Sequence, residues 1–189
     1  MPLFNSDIFI NVSCHPGYRS GKYYLHSPHI GTTATNSNGT ATDTLIYIPF
    51  CVAQSITIDR IAFRVGADTT GSKIRVGLYS SHNGQPENLI VDVGEIDTSV
   101  SGTVQATLNT TLSAGWYFLA INTNNPPSLV TMGNAYGTYF LIGQTSPSTA
   151  SGAYSYQQSS ATYGALPSNA PVSNLSPRSN SPIFWFRVV

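Results

Sequence analysis

Three sets of residues in this 189-residue chain are of types that can do chemistry. Cys14-His15 and His26-x-x-His29 offer the thiolate and imidazole ligands of a tetrahedral zinc site. Their spacing argues against one, because an odd offset in an extended segment sends His26 and His29 to opposite faces. A structural role is expected for them, with no metal and no cofactor. Asp92, Glu95 and Asp97 form the acidic cluster. Two carboxylates about 5 to 10 Å apart across a cleft hydrolyse glycosides, and several together ligate calcium. On a regular strand Asp92 and Glu95 fall on opposite faces, so solvated strand residues are expected rather than a shared site. The chain has no Gly-x-Ser-x-Gly elbow and no Gly-rich loop opening a helix. No catalytic residue is assigned, and an enzyme is not expected.

The third set is aromatic. Tyr136, Tyr139, Tyr154, Tyr156 and Tyr163 lie in or beside a polar stretch rich in Ser, Ala, Pro and Asn. Tyrosine gives rigid amphipathic contact area, and Ser, Asn and Gly give adaptable hydrogen bonds, the mixture found in paratopes. Two roles fit: contact with a ligand such as a host-surface glycan, or packing against a neighbouring subunit. Trp116 and Trp185 sit in strongly apolar runs and are expected in the core.

The composition narrows the scaffold that must position these groups. Only 8% of residues are charged, 8 basic against 8 acidic, and net charge is +0. That leaves no electrostatic footprint for a nucleic acid. Helix-forming charges are scarce, with two Glu and two Lys, while Ser, Thr and Asn number 24, 20 and 14. No apolar run approaches membrane-spanning length, so no membrane insertion is expected. The start, Met1 to Asp7, lacks the basic and apolar regions of a secretory leader, which predicts folding in a cytosol.

Hydrophobic periodicity then places strands. Leu45 to Phe50, Ile56 to Val65, Lys73 to Tyr79, Leu89 to Val93, Val104 to Leu108, Trp116 to Thr123 and Pro182 to Val189 read as β. Ile74, Val76 and Leu78 point inward, and Lys73, Arg75 and Tyr79 outward. The phase slips at Asp59-Arg60, which predicts a bulge there. Trp116 to Thr123 is apolar on both faces, as a central strand would be. Residues 31–44 read as loop. The expected fold is all-β, a jelly-roll-like antiparallel sandwich over 21–189 with a long polar loop insert at 144–181. Residues 1–20 form an N-terminal docking arm carrying Phe4, Ile8, Phe9, Ile10 and Val12.

The series Gly21-Lys22-Tyr23-Tyr24, Leu45 to Phe50, Ile58 to Val65, Lys73 to Tyr79, Asn83-Gly84-Gln85-Pro86 and Leu112 to Ala120 resembles a β-sandwich domain of bacteriophage virion proteins. That domain recurs at the distal ends of tail fibres and related appendages. The resemblance covers residues 21 to 123. It implies a virion module, commonly a homotrimer, that contacts other virion proteins and the host surface. The expectation is a tail-fibre or receptor-binding role without enzymatic activity. The alternatives are a capsid-decoration protein and a stand-alone carbohydrate-binding protein.

Overall fold

A computed structural model of the chain describes residues 15–26, 34–36, 39–132, 142 and 154–189. Alternating apolar residues, punctuated by Gly, Asn and Pro turns, divide this length into twelve strands. The first six are β1 (Tyr23–Leu25), β2 (Ala34–Asn36), β3 (Thr44–Val52), β4 (Ile56–Ala67), β5 (Lys73–His82) and β6 (Gln85–Asp97). The others are β7 (Gly102–Leu112), β8 (Gly115–Thr123), β9 (Ser128–Met132), β10 (Ser155–Ser159), β11 (Ser176–Arg178) and β12 (Trp185–Val188). A 3₁₀ turn at Val172–Asn174 is the helical element among the described residues.

The pairing is nested and antiparallel. β5 pairs with β6, β4 with β7, β3 with β8 and β2 with β9. Two further pairings, β8 with β5 and β9 with β4, close these into sheets ordered β3-β8-β5-β6 and β2-β9-β4-β7. Eight successive strands folded over as one long hairpin in two sheets make a jelly-roll sandwich. β12 joins β4 beside β9, and β1 follows β12. β10 joins the other sheet at β3, with β11 outside it. Residues 31–44, expected as loop, thus carry β2 in their middle.

Side chains from both inner faces fill the interior. Ile46, Ile48 and Phe50 of β3 meet Ile58, Ile61, Phe63 and Val65 of β4. Ile74, Val76 and Leu78 of β5, Leu119 and Ile121 of β8, and Phe184 and Phe186 complete that core. The slip at Asp59-Arg60 is where the ladders of β4 to both β7 and β12 change register, so residues on either side keep facing inward. β8 is central, between β3 and β5, as its two apolar faces require.

Its outer face is covered by a second cluster. Leu166 and Ala170 from the C-terminal insert seal Leu45, Tyr47, Tyr79, Phe118 and Ala120. Residues 161–175 therefore act as a strap over the β3-β8-β5-β6 sheet. The strap is pinned at its far side, where the Leu89 amide donates to Ser168 O at 2.9 Å and the Ala170 amide to Glu87 O at 2.7 Å. Tyr79 does point outward from β5, yet the strap buries it, and its hydroxyl donates to Pro167 O at 2.6 Å. Burial pushes that hydroxyl up to about 12.

Two expectations need correction. Asp92 and Glu95 are not on opposite faces. Val76 pairs with Gly94 but Gly77 with Asp92, so Val93 is an extra residue, and Gly94 takes φ +94°. That bulge resets the phase and turns both carboxylates toward the outward cations of β5. Neither tryptophan is core: Trp116 is 49% exposed, and Trp185 is half-buried beside Val130, Tyr154 and Ile183.

Candidate functional site

Trp116 is the second residue of β8, where its Cα lies opposite Cys51 of β3. Its neighbour Tyr117 turns inward against Phe50 and the main core. Strand alternation therefore sends Trp116 to the outer face, in the same row as Phe118 and Ala120. Pro49, Ser81, Gly84, Phe118 and Ile142 line a cleft of about 300 Å³ with it. The β5–β6 hairpin forms one wall. Its turn is Asn83-Gly84, with both residues at positive φ (49° and 75°), the conformation that Asn-Gly supplies at least cost. Tyr156 of β10 holds that wall: its hydroxyl donates its one proton to Gly84 O at 3.2 Å, with Ile142 O as the alternative acceptor at 3.5 Å.

The three of these tyrosines among the described residues, Tyr154, Tyr156 and Tyr163, do not form one surface. Tyr156 borders the Trp116 cleft, with its ring centroid 6.0 Å from that of Phe118. Tyr163 lies toward the other end of β8, next to Thr162, whose carbonyl accepts from Asn122 Nδ2 at 3.1 Å. Asn122 is six residues from Trp116, about 20 Å along an extended strand. The Tyr163 hydroxyl donates to Glu95 Oε1 at 2.7 Å. Burial and the Glu95 carboxylate push that hydroxyl well above the ordinary phenol range. Tyr154 is 1% exposed and packs with Val130, Ile183 and Trp185, so in the single chain it is core rather than contact surface. Tyr136 and Tyr139 lie outside the described residues, as do Phe4, Ile8, Phe9, Ile10 and Val12 of the expected arm.

The carboxylates each have a partner of their own. Arg75 donates to Asp92 Oδ2 through Nε at 3.0 Å and Nη2 at 2.8 Å. Lys73 Nζ meets Glu95 Oε2 at 3.3 Å. The bonds from Tyr163 and then Lys73 hold the Glu95 carboxyl below its usual range. Asp97 accepts from the Ser99 amide and hydroxyl at 2.8 and 2.6 Å, which lowers its carboxyl too. Glu95 and Asp97 are therefore held in the ionised form at neutral pH, away from a general acid's raised range.

Of the histidines, His15 stacks on Tyr18 with centroids 4.1 Å apart, and burial lowers its pKa. His26 is buried and stacks on Phe184 at 4.5 Å. Cys14 and His29 lie outside the described residues. Among the described residues no group of three His, Cys, Asp or Glu is placed to hold a metal ion. No helix among them is long and apolar enough to cross a membrane.

Sequence reasoning missed Trp116 as a surface residue. The signal available was the odd–even phase of β8, which sets Trp116 apart from inward Tyr117. What a phase cannot show is where the covering strap ends.

No family model and no curated protein matches the sequence. Among solved structures, the chain is similar to the clostridial cysteine protease Cwp84 after propeptide cleavage. The TM-score is 0.44 and the identity 15%, over 86% of this chain and 39% of that one.

Proposed function

We propose that this chain is a non-enzymatic binding module of a bacteriophage particle, a tail-fibre or receptor-binding domain that touches the host surface through the Trp116 cleft. The observation that supports it is a half-exposed tryptophan on the rigid central strand of a sheet whose neighbouring apolar residues are covered. Tryptophan is the side chain most often found to carry binding energy, and an isolated one with walls on two sides is a ready stacking platform. Ser81 and the Gly84 backbone supply polar groups at its rim. Flat aromatic rings flanked by hydroxyl and amide groups suit a sugar ring of a host-surface glycan. The placement of the chain on a virion rests on the sequence resemblance over residues 21 to 123.

Labelling with an antibody to this chain on purified particles tests the placement. Label at the tail tip or its fibres is expected. Label on the capsid instead would replace adhesion by decoration, and unlabelled particles would reject a virion role.

A further inference from the structure

The outer face of the other sheet is basic. β1, β12, β4 and β7 lie side by side, and their charged residues are Arg60, Arg64 and Arg187 against the single acid Asp59. The register puts the three arginines on one face. Tyr23 lies opposite Arg187, Arg187 opposite Arg60, and Arg60 opposite Thr107. The next row reads Leu25, Trp185, Ala62 and Gln105, and the row after it pairs Arg64 with Thr103. Ile61, Phe63 and Val65, the alternate residues of β4, are in the core, so these rows face outward.

Like charges directly across a ladder repel. The bulge at Asp59-Arg60 answers this by turning Asp59 toward both guanidinium groups. Arg187 grips it with two bonds, Nε to Oδ1 at 2.8 Å and Nη2 to Oδ2, while Arg60 Nη1 lies 3.5 Å from Oδ2. One carboxylate thus serves two arginines. Arg64 is exposed and has no ion pair among the described residues.

Flat rings flank the charges. Tyr23 lies over Arg187, with the guanidinium carbon 5.8 Å from the ring centroid, and is 43% exposed. Its hydroxyl reaches across the sheet to Gln105 Oε1 at 2.6 Å, over the small Ala62. Leu25 is 39% exposed and Trp185 half-buried in the neighbouring row.

We infer that this face binds an acidic polysaccharide, one carrying carboxylates on its sugar rings. A face several strands wide suits an extended polymer. Arg64 keeps its guanidinium fork for a carboxylate in two-point contact, the geometry that Arg187 and Asp59 already make with each other. The rings beside the arginines offer stacking area to the sugar. This second surface is separate from the Trp116 cleft, which belongs to the opposite sheet.

Affinity electrophoresis of the full chain in gels containing polygalacturonate tests it. Retardation is expected, absent with neutral dextran and falling between about 50 and 200 mM salt. Arg64→Gln should weaken it roughly tenfold. Thr103→Glu, which sets a carboxylate opposite Arg64, should weaken it comparably with the guanidinium intact. Ser159→Ala, at the exposed end of β10 in the opposite sheet, should leave it unchanged. No retardation by polygalacturonate overturns the inference, and so does undiminished retardation of both face variants. Equal or stronger retardation by a teichoic acid or by duplex DNA also overturns it, because the face would then be a general anion binder.

Discussion

Trp116 and Phe118 stand two residues apart in one outward row of β8, yet Trp116 is 49% exposed and Phe118 2%. The same strand face thus passes from exposed surface to core within about 7 Å. The difference is made by Leu166 and Ala170, which cover Phe118 and Ala120 and stop short of the strand's start. The cleft is the place where a second hydrophobic cluster ends.

Substitution should separate the two residues. Phe118→Ala removes a buried ring and should cost about 3 to 5 kcal/mol. Trp116→Ala should shift stability by only about 0.5 kcal/mol, as for a surface position. Denaturant melts of both variants check this, and a large loss in Trp116→Ala would mean that the ring serves the fold.

The strap should be dislodged from beneath. A Cβ on Gly77 of β5 would lie 2.4 Å from Leu166 Cδ1 and 3.0 Å from Val91 O. Gly77→Val should therefore cost about 1 to 3 kcal/mol through overpacking. It should also open residues 160–175 to limited proteolysis while the sandwich persists. Cleavage confined to other loops would contradict the seal.

Much of this was legible in the sequence, and the exceptions share a cause. The slip at Asp59-Arg60 could be read because strongly apolar residues on both sides fix the phase. The bulge at Val93 could not: the half-buried residues of β6 give a weak alternation, and the turn of phase resides in the positive φ of Gly94. The outward set of Lys73, Arg75 and Tyr79 was correct as geometry, but only tertiary packing covers Tyr79 and leaves Trp116 open. Tyr23 and Gln105 meet across 82 residues of chain, a contact no local pattern encodes.

Arg178 predicts a stability effect without an ion pair. From Asn124 onward the sequence has no acid, and this half-buried guanidinium is held by neutral acceptors. It donates to Asn180 O at 2.6 Å, Gln157 Oε1 at 2.5 Å and Gly39 O at 3.2 Å, tying β11 to β10 and to the β2–β3 connection. Lysine keeps the charge but cannot fork to three acceptors. Arg178→Lys should lose about 1 to 3 kcal/mol in thermal or denaturant melts. An unchanged melt would show that the fork is dispensable.

Acid should act through Asp59. The bond from Arg187 holds its carboxyl below the unfolded value, so the folded state binds this proton less readily. Its contribution is complete above the unfolded carboxylate range and is lost as pH falls through the lower folded value. Arg187→Gln should therefore lose stability at about pH 6 and show a shallower decline toward pH 3 than the parent. Parallel pH profiles for the two proteins would contradict this.

The central claim is tested most directly by competition for the host. Purified chain, added in excess, should block adsorption of its own particles to host cells, and Trp116→Ala at equal concentration and intact fold should not. Failure of the parent protein to block, or equal blocking by Trp116→Ala, would contradict host contact through the Trp116 cleft.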